Sequence, residues 1–155
     1  MTTQIAVVGH GDPPPEVARL AEEVGRRLAR KGATVVCGGL GGVMEAAARG
    51  ASRAGGLVVG ILPGYDRGKA NPFVRVVIPS GLGHARNMLV VAAADAVIAL
   101  AGSHGTLSEV ALGLKHGRPV IGLDAWAEVS GVVRARTPEE VVEIALREAA
   151  RSTDT

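Results

Sequence analysis

Residues 96 to 109 read AVIALAGSHGTLSE, and how this stretch is read decides the fold. AVIAL is a continuous apolar run of strand length, followed at once by a glycine-containing turn and then by a helical pattern, TLSEVALGLKHG. A buried strand opening through glycines into a helix is half of a βα unit. Its helix N-terminus turns backbone N–H groups and a positive dipole end toward any anion placed there. Glu109 nevertheless puts a carboxylate close to that terminus.

The same alternation runs outward in both directions. Upstream lie IAVVG, then PEVARLAEEVGRRLARKG, TVVCGG, the small-residue helix VMEAAARGASRA, LVVGILP, the loop GYDRGKANPF, RVVIPS and an apolar helix expected over residues 81–94. Downstream come PVIGLD, a strand in VVRAR and a last helix. Thr137, Pro138 and Glu140 give that helix a capping box with proline at its first position. In the first helix Val17, Leu20, Ala21, Val24 and Leu28 share one face, and Glu22/Arg26 and Glu23/Arg27 pair at i, i+4 on the other.

Strands alternating with helices predict an α/β fold, Rossmann-like and doubly wound, with a mostly parallel sheet of about six or seven strands in one domain over residues 1–155. The strands are apolar throughout instead of alternating, as strands covered on both faces require. Right-handed crossovers carry strands 1, 2 and 3 outward in one direction, with RVVIP at or beyond that edge, and helix 81–94 returns the chain so that AVIAL lies beside IAVVG. The order reverses between those two strands, so a ligand belongs at their carboxyl ends, where GHGD and AGSHGT sit.

Composition narrows the ligand class. The 155 residues carry 17 Lys plus Arg against 15 Asp plus Glu, with the signs intermixed, which is no nucleic-acid footprint. One Trp, one Tyr and one Phe provide no stacking platform for single strands. No apolar run is long enough to span a bilayer, and no basic leader precedes the first strand, so a cytoplasmic protein with no membrane partner is expected. Cys37 has no partner for an internal disulfide and reads as a buried thiol.

Glycines after three strands converge on the predicted crevice: Gly9 and Gly11, then Gly38, Gly39, Gly41 and Gly42, then Gly102 and Gly105. One such pair reads as an ordinary turn; three clusters on one sheet edge point to backbone cradling of a phosphate. The GxxxxGK[ST] loop is absent, and the second strand ends in CGG with no acidic ribose reader, which disfavours a triphosphatase or a dehydrogenase.

Two side chains draw attention. In SGLGHARNML (80–89), His84, Arg86 and Asn87 crowd a first helical turn, where the Arg86 cation opposes the helix dipole. Either a nearby carboxylate or snorkelling compensates Arg86, or it faces the crevice and binds an anion. Thr106 and Glu109 spell TxxE, a capping box in which Glu109 reaches back to the helix start. A cap and a role in the crevice can coexist in one residue.

GHARN and AVIALAGSHGTLSE together resemble the MHxRK and PGGxGTxxE signature of the Lonely Guy (LOG) family, nucleoside monophosphate phosphoribohydrolases long mislabelled lysine decarboxylases. CGGLGGVMEAAARGA resembles that family's GGGxxGLMG segment. The likeness covers most of the chain and is nearest to a short bacterial branch that includes relatives of the molybdenum cofactor carrier proteins. It implies that Arg86 and Glu109 are the catalytic pair and that Gly102, Ser103, Gly105 and Thr106 hold a ribose phosphate, with His84 and the earlier glycines beside them. The implied activity is hydrolysis of an N-glycosidic bond to free base and ribose 5-phosphate, in which a carboxylate stabilises the developing cation or activates water. The alternative it implies is a non-catalytic carrier or sensor of a nucleotide- or pterin-type cofactor. A homodimer formed through helices is implied as well.

The chain departs from the motifs at Ala101 and Ser103 in the second signature, at Asn87 in place of lysine, and at Glu45 in place of glycine. No resident cofactor is expected, and Lys31, Lys69 and Lys115 lie away from the glycine clusters, so lysine decarboxylation is not supported. His10, His84 and His104 approach the crevice mouth without metal-ligand spacing. The loop GYDRGKANPF is either a plain connection or a lid whose Tyr65 or Phe73 stacks on a base.

Overall fold

The computed structural model describes residues 1–153. Seven strands form one sheet: β1 (Gln4–Val8), β2 (Thr34–Cys37), β3 (Val58–Leu62), β4 (Val76–Pro79), β5 (Ala96–Ala99), β6 (Val120–Leu123) and β7 (Val133–Ala135). Their order is β4-β3-β2-β1-β5-β6-β7, and every pair is parallel. AVIAL therefore lies beside IAVVG, with Ala6 opposite Val97 and Val8 opposite Ala99. The fold is the expected Rossmann-like α/β arrangement, and RVVIP supplies the edge strand beyond β3.

Five helices cover the sheet: α1 (Pro15–Arg30), α2 (Val43–Arg53), α3 (Arg86–Ala92), α4 (His104–Lys115) and α5 (Pro138–Thr153). Strand side chains alternate between two buried clusters. Ile5 and Val7 join α1, α2 and α5 on one face, while Ala6 and Val8 join α3 and α4 on the other. This two-sided burial is why the strands read as unbroken apolar runs. α1 and α2 approach backbone to backbone: a Cβ on Gly50 would stand 1.9 Å from the Glu22 carbonyl oxygen, and one on Gly25 2.0 Å from that of Ala47.

Three local expectations are corrected. The helix predicted over 81–94 is a 3-10 turn, Gly83–Ala85, followed by the shorter α3, because Gly81 (φ 68°) and Gly83 (φ 58°) take left-handed conformations that a right-handed helix cannot include. On α1, Glu23 pairs with both Arg26 and Arg27, whereas Glu22 reaches across to Arg49 and Arg53 of α2. At α5, Glu140 N–H donates to Thr137 Oγ1 at 3.1 Å as a cap should, but the Glu140 carboxylate accepts from Arg136 N–H instead of the cap residue's own.

Candidate functional site

The loops after β1, β2 and β5 are laced into one rim at the predicted crevice. His10 N–H donates to the Ala101 carbonyl at 2.9 Å, and Val43 N–H donates to the His10 carbonyl at 2.9 Å. Between these loops lies a cavity of about 150 Å³. Arg86 and Glu109 line it together with Gly9, Gly38, His84, Ser103, Gly105 and Thr106.

The helix at the rim begins two residues earlier than the sequence reading placed it. Ser103 is the N-cap of α4, and Leu107 N–H already bonds to the Ser103 carbonyl at 2.9 Å. The first-turn amides without intrahelical partners are therefore those of His104, Gly105 and Thr106. Glu109 sits in the second turn, beyond the reach of a capping box, so the cap explanation of this residue is overturned. Its side chain, 8% exposed, makes no hydrogen bond or ion pair among the described residues. Burial pushes its carboxyl up to about 7, and attraction to Arg86 limits the rise.

Arg86 is held differently from both simple expectations. It neither snorkels nor pairs directly with a carboxylate. Its Nε donates to the Ile61 carbonyl at 2.9 Å, one Nη to Asn87 Oδ1, and the other to the Gly38 carbonyl at 3.4 Å. The guanidinium thus spans the carboxyl ends of β2 and β3, where carbonyl oxygens offset the unfavourable dipole of its own helix. Burial holds its pKa below the ordinary arginine value, with Glu109 opposing that change.

Asn87, which departs from the resembling motif, is an integral part of this arrangement. It accepts from Arg86 and donates through Nδ2 to Ser108 Oγ at 3.1 Å, and Ser108 Oγ donates to the Gly105 carbonyl at 2.6 Å. A chain of side chains therefore joins Arg86 to the first turn of α4. Glu45, the other charged departure, stands in the first turn of α2, and its neighbour Met44 is the residue that faces the cavity.

Several expected binders sit elsewhere. Gly39 packs against Leu62, and Gly42 lies against the backbone of His10 and Gly11, where a Cβ would come within 2.3 Å of an oxygen. Gly41 is exposed, so these three shape the rim without lining the cavity. Gly102 acts from beneath, packed under Thr106. Phe73 is flanked by the guanidinium groups of Arg49 and Arg53, each 5.9 Å from the ring centre, and packs against the α1/α2 cluster, so it is unavailable to a base. Tyr65 is 83% exposed and lies over Gly81. Asn71 ties the end of the loop down through bonds to the Gly39 and Leu40 carbonyls, both at 2.9 Å. The buried Cys37 thiol is pushed up to about 11 by desolvation and is unreactive.

Met44 escaped the sequence reading because nothing in VMEAAA marks which helical residue points to the crevice. His10 does line the cavity, and His84 lies between it and a wider shelf of about 590 Å³ walled by Ala85, Met88, His104 and Leu112. No cluster of three potential ligands able to hold a metal occurs among the described residues, and none of their helices is long and apolar enough to cross a membrane.

Known proteins are similar to this chain in sequence and fold. An uncharacterized protein of Archaeoglobus fulgidus is 45% identical over 139 residues, covering 90% of this chain and 91% of its own. The molybdenum cofactor binding protein from the phototrophic bacterium Rippkaea orientalis is 37% identical with a TM-score of 0.89, covering 100% of this chain and 99% of its own. The Moco carrier protein from Chlamydomonas reinhardtii is 29% identical with a TM-score of 0.89, covering 97% and 99%. The SLOG cluster4 family matches residues 2–151, in keeping with the LOG-related motifs, and the chain belongs to that family.

Proposed function

We propose that this protein binds a phosphorylated small-molecule cofactor of the pterin type, the molybdenum cofactor class, and carries it without turning it over. The observation that carries the proposal is the convergence of donors on one cavity: the free amides of Gly105 and Thr106, the Ser103 hydroxyl, and the buried Arg86. A phosphate monoester fits such a set. The cavity suits a phosphate and the first atoms beyond it, and the shelf sharing His84, Asn87 and Gly105 gives a ring system somewhere to lie. Similarity to a molybdenum cofactor binding protein and a Moco carrier supports this cargo over a nucleotide.

Glu109 fits the same proposal. With its carboxyl near 7, it is partly protonated at neutral pH and can donate to an anion instead of repelling it. The test is anaerobic incubation with molybdenum cofactor followed by gel filtration, measuring metal and pterin in the protein fraction. Stoichiometric co-elution, abolished by substitution of Ser103 and Arg86, is expected; cofactor eluting only in the free fraction defeats the proposal.

Phosphoribohydrolase activity is the second reading, and one observation favours it. Glu109 is buried, without a hydrogen-bonding partner, and titrates near neutrality beside a cation, as a general base for an attacking water should. Incubation with a panel of nucleoside monophosphates decides between the two, with free base and ribose 5-phosphate as the signature of hydrolysis. Self-association as a homodimer belongs to the same proposal, using α3 and α4, where Leu89 and Leu107 are exposed. Light scattering measures it.

A further inference from the structure

We infer that Trp126 is a positioning residue for the anion site, its indole holding the Leu100 carbonyl and so fixing the loop that presents the start of α4. The inference rests on the proposal that this helix start receives the ligand's phosphate.

The turn after β6 holds Asp124 at φ 51° and Trp126 at φ 64°, the two non-glycine residues in left-handed conformations among the described residues. A bulky residue adopts that conformation at a cost and keeps it only where its surroundings over-determine it. Three contacts do so here. The Ala125 carbonyl folds back onto β6, where a Cβ on Gly122 would meet it at 2.0 Å. Asp124 N–H donates to the Ala135 carbonyl of β7 at 2.9 Å. Trp126 Nε1 donates to the Leu100 carbonyl at 2.8 Å while the indole packs on the α3/α4 cluster.

Leu100 is the residue from which the glycine loop departs. On the β1 side the loop is gripped twice, by Leu100 N–H donating to the Val8 carbonyl and by His10 N–H donating to Ala101, both at 2.9 Å. On the β6 side the grip on Leu100 is the indole. Gly102 gives the segment between Leu100 and α4 little stiffness of its own, so its geometry depends on what holds its root. Filling space would need only an aromatic ring, which phenylalanine supplies. Holding the carbonyl needs the N–H donor, which phenylalanine lacks.

Trp126→Phe in the full chain separates the two roles. Amide exchange is followed at His10 and Leu107, whose bonds to Ala101 and Ser103 report on the loop, with Thr34 and Val35 as references bonded elsewhere in the sheet. Exchange about tenfold faster at His10 and Leu107, with Thr34 and Val35 unchanged, is expected. Asp124→Gly relieves strain in the same turn but keeps the indole, and leaves all four unchanged. Inorganic phosphate, followed on the His104, Gly105 and Thr106 amides, half-saturates Trp126→Phe at about fivefold higher concentration than wild type. If phosphate moves none of these amides in wild type, the anion-site proposal falls and exchange alone decides the role of Trp126. Unchanged exchange at His10 and Leu107, as expected of a ring that only fills space, overturns the inference, and so does acceleration at all four amides, which is the signature of general destabilisation.

Discussion

Gly102 lies directly beneath Thr106: a Cβ built on Gly102 would stand 2.0 Å from Thr106 Oγ1 and 2.6 Å from its Cβ. Thr106 is 3% exposed and carries one of the free first-turn amides of α4, so anything added at Gly102 pushes on the anion site itself. Gly102→Ala is expected to cost about 1–3 kcal/mol by overpacking and to weaken ligand binding further than the loss of stability accounts for. Urea denaturation measures the first effect and calorimetric titration the second.

Glu109 has a folded-state carboxyl raised from 4.5 to about 7. The folded protein therefore binds more protons than the unfolded chain between those values, and Glu109 removes stability progressively as pH rises from about 4.5 through about 7. Glu109→Gln, which keeps shape and carries no charge, should melt higher than wild type at pH 8, by the equivalent of roughly 2–3 kcal/mol. That advantage should vanish toward pH 4.5. Thermal melts across this range check it, and a wild-type advantage at pH 8 would contradict the desolvation account.

The same protonation should govern anion affinity. Phosphate binding to wild type is expected to weaken several-fold as pH rises from 6 to 8, roughly what one added negative charge a few ångströms away exacts in a partly screened site. In Glu109→Gln the added steepness disappears. Binding isotherms at both pH values, corrected for the ionisation of phosphate itself, make the comparison.

Asn87→Lys restores the charge that the resembling motif carries, but here it would bury a second cation against Arg86 and break the bond to Ser108. A loss of about 2–4 kcal/mol is expected, with no gain in hydrolysis. Chemical denaturation and the nucleoside monophosphate panel test the two halves.

Arg86→Lys should also fail to substitute. A single ammonium group cannot reach the Ile61 carbonyl, the Gly38 carbonyl and Asn87 together, so buried acceptors lose partners, at an expected cost of about 2–3 kcal/mol. Equal stability of Arg86→Lys and wild type in urea would show that the guanidinium spans nothing important.

The sequence by itself determined the outward run of the first three strands, the return of AVIAL to the side of IAVVG and so the place of the crevice. Apolar runs such as AVIAL and IAVVG can be buried only between two helical layers, and right-handed crossovers leave few topologies that accommodate them. It also singled out Arg86 and Glu109 as neighbours, through motif positions that the fold brings to one cavity. What it left undecided were matters of a residue or two, or of contacts between distant segments. The start of α4 at His104 depends on Ser103 taking the cap position, which a local TxxE pattern cannot reveal. Phe73 faces Arg49 and Arg53 instead of the crevice because the segment leading into β4 packs against the cluster under α1 and α2, and Trp126 reaches Leu100 because β6 pairs with β5. Local pattern fixes which residues must be buried; which of them meet is decided only when the strands are side by side.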